Sequence, residues 1–171
     1  DYKLWSQDKC ISKQNYEINV SSVITPNCFK KGTKILCLNQ FHKEDYISVE
    51  QIKKGDLIKT YLHGFRSVEK VDKIHVINNP EDSKNSMYKI SKRHDNLGYV
   101  FKNLTLVGNH SVLVESLNDD QATKETSYYG NVFEVDGKVC SHCFLNDKFQ
   151  IINEKRIYEC YIIILQNDYI S

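Results

Sequence analysis

Cys28-Phe29-Lys30-Lys31-Gly32-Thr33-Lys34-Ile35-Leu36-Cys37-Leu38 is the stretch from which the rest of the chain can be read. A Lys-Lys-Gly break stands before a run in which apolar residues recur without a helical period, so Thr33–Leu38 reads as a strand, although its alternation is imperfect. Working outward, Lys54-Gly55-Asp56 is a turn and Leu57–Leu62 the strand that leaves it; His63-Gly64 turns the chain again into Arg66–Val76. Asn78-Asn79-Pro80-Glu81-Asp82 is a loop, followed by a strand at Met87–Ser91, a hairpin tip at His94–Gly98 and a strand at Tyr99–Val107. Ser111–Glu115 reads as a further strand, and the polar run Ser116–Thr126 as a loop or one short helix. Tyr128–Val135 and Lys138–Cys140 flank Asp136-Gly137, a strong hairpin signal, and Phe149–Ile152 and Ile157–Leu165 complete the set. Short strands with turns about every 8–12 residues predict an all-β sandwich or barrel-like body.

Composition narrows the function classes. The chain has 171 residues, the size of one ordinary domain, and its 40% apolar content is too high for a disordered polypeptide. Lys plus Arg (23) nearly balances Asp plus Glu (22), so no overall field draws it to nucleic acid or an acidic membrane. The longest apolar run, Cys160–Leu165, is far short of the roughly 20 residues that span a bilayer. Asp1–Trp5 lacks the charged-then-apolar layout of a signal peptide. Residues 1–27 are polar and irregular and end in Ile24-Thr25-Pro26-Asn27; they read as a flank upstream of the domain proper, which occupies 28–171. Six cysteines form an even set, but the chain is long enough to fold on an apolar core, and a mostly reduced protein is expected.

Three places carry chemistry-bearing side chains. Cys28 follows an extended stretch, because Pro26 biases Thr25 away from helix. Much later, His110 lies in the turn Gly108-Asn109-His110-Ser111. Near the end, Glu159 opens the apolar strand after Ile157-Tyr158. A thiol attacks a carbonyl only as thiolate or with a base beside it, and a histidine at the mouth of a strand is a plausible activator. A bare Cys/His pair arises easily by chance in a chain with six of each.

The surroundings of these residues are more specific. Residues 28–36, from Cys28-Phe29 through Gly32-Thr33 into the strand, resemble the opening motif of the hedgehog/intein (Hint) autoprocessing domains. Ser48-Val49-Glu50-Gln51-Ile52-Lys53-Lys54-Gly55-Asp56-Leu57-Ile58 is similar to that family's second element, and Leu106–Val114 to its internal histidine block. The wording Gly-Asn-His-Ser-Val-Leu-Val is similar to that of Hint modules of large DNA viruses and protists. The resemblance covers about residues 28–165 and implies an all-β, horseshoe-like Hint fold that acts once on its own backbone. It implies that Cys28 is the nucleophile, that Asn27–Cys28 is the scissile bond, and that His110 is base and then acid. Asn109 is the expected donor to the developing oxyanion, and Glu159 the expected late acidic group. The family usually has threonine three residues before the histidine. Here that position is Val107, and Thr105 lies two residues earlier on the same face of a strand, as the candidate substitute. Splicing requires a C-terminal Asn followed by Ser, Thr or Cys; the chain shows Ile170-Ser171 instead, so its C-terminal block reads as incomplete and cleavage alone is expected.

The substrate implied is the chain's own upstream polypeptide, with no cofactor, no metal, no nucleic acid and no membrane, acting as a monomer. Two other readings stand beside this one. The first is a degenerate Hint fold kept as a structural or interaction module, with Cys28 packed and inert and Thr105 an ordinary strand residue. The second is a zinc-stabilised domain built on Cys140-Ser141-His142-Cys143, half of a metal site by spacing.

Overall fold

The computed structural model describes residues 28–60, 63–90, 104–135 and 137–166. The expected upstream flank, the hairpin tip at 94–98 and most of the strand expected at 99–107 lie outside them. The described chain is all-β apart from one helix. Its strands are β1 Phe29–Lys30, β2 Lys34–Leu38, β3 Glu44–Ser48, β4 Leu57–Lys59, β5 Phe65–Asn78, β6 Met87–Ile90, β7 Thr105–Val107, β8 Ser111–Val114, β9 Glu134–Val135, β10 Lys138–His142, β11 Phe149–Ile151 and β12 Arg156–Leu165; helix α1 covers Asp119–Tyr129. Nine strands form one sheet in the order β11-β6-β7-β1-β12-β5-β4-β2-β3, and β8-β10-β9 form a second. All the pairings are antiparallel.

The backbone of the large sheet is the long pair β5–β12. It runs in register from Arg156 opposite Asn78 to Ile164 opposite Lys70, then shifts at a bulge so that Leu165 meets Val68. The pair buries one face at each end: Tyr158 and Cys160 of β12 pack with Val76 of β5, whereas Ile163 and Leu165, on the opposite face by strand alternation, pack with Val68. Three apolar clusters result. One lies under β2, β4 and the bulged end of β12, one around Cys28 and Cys160, and one between β6, β7 and β11. Burial of these side chains is the main driving term, at roughly 25 cal/mol per Å² of apolar surface removed from water.

Three elements depart from the reading of the sequence. Strand β3 was not expected: its Glu44-Asp45-Tyr46 is exposed, as an edge strand allows, because solvent takes the place of a second neighbour. Tyr128 and Tyr129 belong to the helix rather than to a strand reaching Val135. The local cause is capping at both ends. Asn118 and Gln121 form a reciprocal capping box, and Gly130 takes a left-handed φ of 76° that closes the last turn. Finally, β5 runs on to Asn78, which was expected to be loop.

Asn78 is buried and ties three elements together. Its Oδ1 accepts from the Met87 N–H at 2.6 Å, and its Nδ2 donates to the carbonyls of Ile152 and Glu154, both at 2.7 Å. Replacing it with alanine strips partners from three backbone groups. Asn78→Ala is expected to lower unfolding free energy by ~2–4 kcal/mol with an unchanged denaturant slope. A urea midpoint within error of wild type would refute this role.

Candidate active site

Cys28 is fully buried immediately before β1. The two residues of β1 are held on both sides, with Phe29 opposite Leu106 of β7 and opposite Tyr161 of β12, and Lys30 opposite Cys160. This inserts the Cys28 side chain among Val76, Met87, Val107, Tyr158 and Cys160. The side chains of Cys28 and Cys160 interact, and that contact together with burial pushes the Cys28 thiol well above its usual range. Cys160 is shifted the opposite way, first by the interaction with Cys28 and also by the charge of Lys30. Two buried sulfurs in contact cannot both ionise readily, so Cys28 rests as the neutral thiol.

His110 reaches Cys28 from the turn between β7 and β8. That turn is fixed by main-chain bonds: Gly108 N–H to the Ser86 carbonyl at 2.7 Å, Asn109 N–H to the Lys84 carbonyl at 2.8 Å, and His110 N–H to the Val107 carbonyl at 3.0 Å. The approach is close at Gly108, where a Cβ would lie 2.4 Å from the Ser83 carbonyl oxygen and 2.8 Å from that of Lys84. Only glycine fits without displacing the 83–84 backbone. The His110 ring makes a polar contact with the backbone of Cys28 and meets the Phe29 ring edge-on, with centroids 5.2 Å apart. Although the residue as a whole is half-buried, its Nδ1 is sealed from solvent and has no hydrogen-bond partner among the described residues. Burial lowers the imidazole from 6.5 to about 4; the Cys28 backbone contact opposes this shift and the nearby His142 adds to it. His110 is therefore neutral at pH 7 and able to take a proton.

Cys28 and His110, far apart in the sequence, are thus brought together at the Cys28 backbone. Thr105 is buried on β7, sharing a strand face with Val107, whose side chain joins the Cys28 cluster. Asn109 sits in the histidine turn itself. Glu159 stands apart. It precedes Cys160 on β12 and so points to the other face of the strand, where Lys73 at 2.7 Å, the Tyr161 hydroxyl at 2.6 Å and Lys31 at 3.1 Å hold its carboxylate. Those hydrogen bonds, led by that of Lys73, draw its pKa down to about 2. Asn27 lies outside the described residues.

One partner of Cys28 is not legible in the sequence. Cys160 lies in an apolar strand with no motif around it, and only the strand register shows it diagonal to Cys28. Cys140-Ser141-His142-Cys143 was weighed as half of a zinc site, but its side chains are differently engaged. Cys140 is disulfide-bonded, His142 is bonded to Glu125, and Cys143 is a free thiol in the third apolar cluster. Among the described residues no group of three or more His, Cys, Asp or Glu side chains is arranged to hold a metal ion, and no helix is long and apolar enough to cross a membrane. No protein-family model matches this chain, and a search of curated proteins finds no match either.

The lowered His110 pKa has a stability consequence. Between pH 6.5 and about 4 the unfolded chain binds a proton at this position that the folded chain resists, so stability falls as pH falls through that window and is complete above it. Wild type is expected to lose about 3 kcal/mol more than His110→Gln between pH 7 and pH 4. Urea unfolding at both pH values measures this, and equal losses in the two proteins would contradict the buried, neutral imidazole.

Proposed function

We propose that this chain is a self-processing domain of the Hint type, which cleaves its own backbone at Asn27–Cys28 with the upstream polypeptide as substrate. The observation that carries the proposal is the contact between the His110 ring and the backbone of Cys28. It joins the two residues that the Hint resemblance picks out, which lie far apart in the sequence. The sheet order adds support. The first and last described strands, β1 and β12, lie side by side, so Cys28 stands next to the strand that carries Cys160.

The chemistry follows from these groups. The Cys28 thiol gives its proton to His110, and its sulfur bonds to the Asn27 carbonyl carbon. The tetrahedral adduct collapses when the imidazolium returns that proton to the amide nitrogen and the C–N bond breaks. The product is a thioester to Cys28 with a free amine on the same residue, one proton having moved from sulfur to nitrogen. Water, a thiol or hydroxylamine then opens the thioester. An amide resists this until its nitrogen is protonated or its plane distorted, and a rigid scaffold holding thiol, carbonyl and imidazole together supplies much of the activation. With the thiol raised and the imidazole lowered, the first proton transfer is uphill, which makes the resting state slow. Within this reading Asn109 is the donor to the oxyanion and Thr105 the residue that strains the amide, while Glu159, bound to Lys73, Lys31 and Tyr161, takes no part.

A second reading, an inert Hint fold kept as a structural or interaction module, draws on Val107. This side chain fills the threonine position and is fully buried beside Cys28, where it offers no hydroxyl.

Incubating the full chain with dithiothreitol or hydroxylamine separates the two. Mass spectrometry is expected to find a product ending at Asn27, absent in Cys28→Ala and formed roughly 10²–10⁴-fold more slowly in His110→Ala. Equal cleavage in Cys28→Ala, or no product from folded wild type, would favour the inert module.

A further inference from the structure

Helix α1 is docked in an unusual way. Its sequence, Asp119-Asp120-Gln121-Ala122-Thr123-Lys124-Glu125-Thr126-Ser127-Tyr128-Tyr129, has no apolar stripe, and the one residue it buries is Glu125, 2% exposed. A lone buried carboxylate is costly, and a short helix needing only to stick would do better with leucine. Both oxygens are satisfied by a single residue. Oε1 accepts from the His142 backbone N–H at 2.7 Å, and Oε2 meets His142 Nδ1 at 2.7 Å. A carboxylate partner places the hydrogen on Nδ1 and so fixes the orientation of the ring. One helical turn on, Tyr129 stacks on the same imidazole, centroids 3.9 Å apart and planes 13° from parallel; one turn back, Gln121 donates to Asp147 at 3.1 Å. Positions 121, 125 and 129 therefore grip the segment 142–147 with one face.

That segment holds the histidine turn. Directly after His142, the Cys143 N–H donates to the His110 carbonyl and the Phe144 N–H to the Gly108 carbonyl, each at 3.0 Å. His142 itself lies opposite Ser111 in the β8–β10 ladder. A continuous set of bonded contacts thus runs from the helix carboxylate through His142 and two main-chain amides to the turn that carries His110.

We propose that Glu125 and His142 are a positioning pair which, through the 143–144 amides, sets where the His110 ring stands relative to Cys28. Neither residue touches the reacting atoms. The proposal rests on the self-processing reading for its effect on rate, but not for its effect on the ring.

The test uses full-length chain and two readouts, imidazole ¹⁵N resonances of His110 at fixed pH and Cys28-dependent cleavage by dithiothreitol. Glu125→Leu is expected to stay folded while the His110 signals shift or broaden and cleavage slows about 10- to 100-fold, the loss that an ångström of misplacement brings. Glu125→Gln, which keeps the shape and an acceptor for the His142 N–H, is expected to recover most of both. Folded Glu125→Leu with wild-type His110 signals and wild-type rate would overturn the proposal. Should Glu125→Leu fail to fold, Glu125→Asp, which keeps the charge but shortens its reach, takes its place, and unmoved His110 signals there would overturn it equally. If wild type itself shows no Cys28-dependent cleavage, the self-processing reading fails while the ring signals still decide this one.

Discussion

Two residues of strand join the halves of the large sheet. Without Phe29 and Lys30, the group β11-β6-β7 would have no ladder to β12 and the strands beyond it. So short a strand gains little from its own hydrogen bonds, each worth only about 1 kcal/mol net. Side-chain packing holds it instead: Phe29 packs against two of the three apolar clusters, while Cys28 sits inside the third. The cysteine is therefore at the junction of the whole core. Moving it would open the cluster around Cys160 and strain the packing of Phe29 against the other two.

This placement explains why the site combines closeness with restraint. The burial that locks the geometry also withholds charge from both groups, keeping Cys28 protonated and His110 neutral. A nucleophile exposed to solvent would be easier to ionise but would lack a fixed relation to the bond behind it. Here order is gained and readiness given up.

Much of the β architecture was legible because short apolar runs rich in β-branched and aromatic residues, as at β2, β8 and β12, are set off by Gly, Asn and Asp turns. Strand β3 was not, since an edge position lets Glu44 and Asp45 occupy a strand with no apolar signature. Tyr128 and Tyr129 have strand propensity, and their helical state came from the caps at Asn118 and Gly130, local signals present in the sequence but outweighed by the aromatic pair. For the site, Cys28 and His110 stood out because motif wording surrounds them. Cys160 and the Glu125–His142 pair did not, because their meaning lies in register and in contacts between distant segments, which no window of sequence contains. Glu159 shows the converse: an acid in a suggestive place, sent to the other side of the sheet by strand alternation.

The histidine turn is secured almost wholly by main-chain atoms: carbonyls of residues 84, 86 and 107 on one side, amides of residues 143 and 144 on the other. These bonds use none of the side chains at those positions, although Ser86, Val107 and Cys143 are also packed in the interior. Gly108 has no room for a side chain, its backbone pressed against its neighbours. Over long divergence such a scaffold can change the polar wording around its histidine and still hold the ring beside the same stretch of backbone.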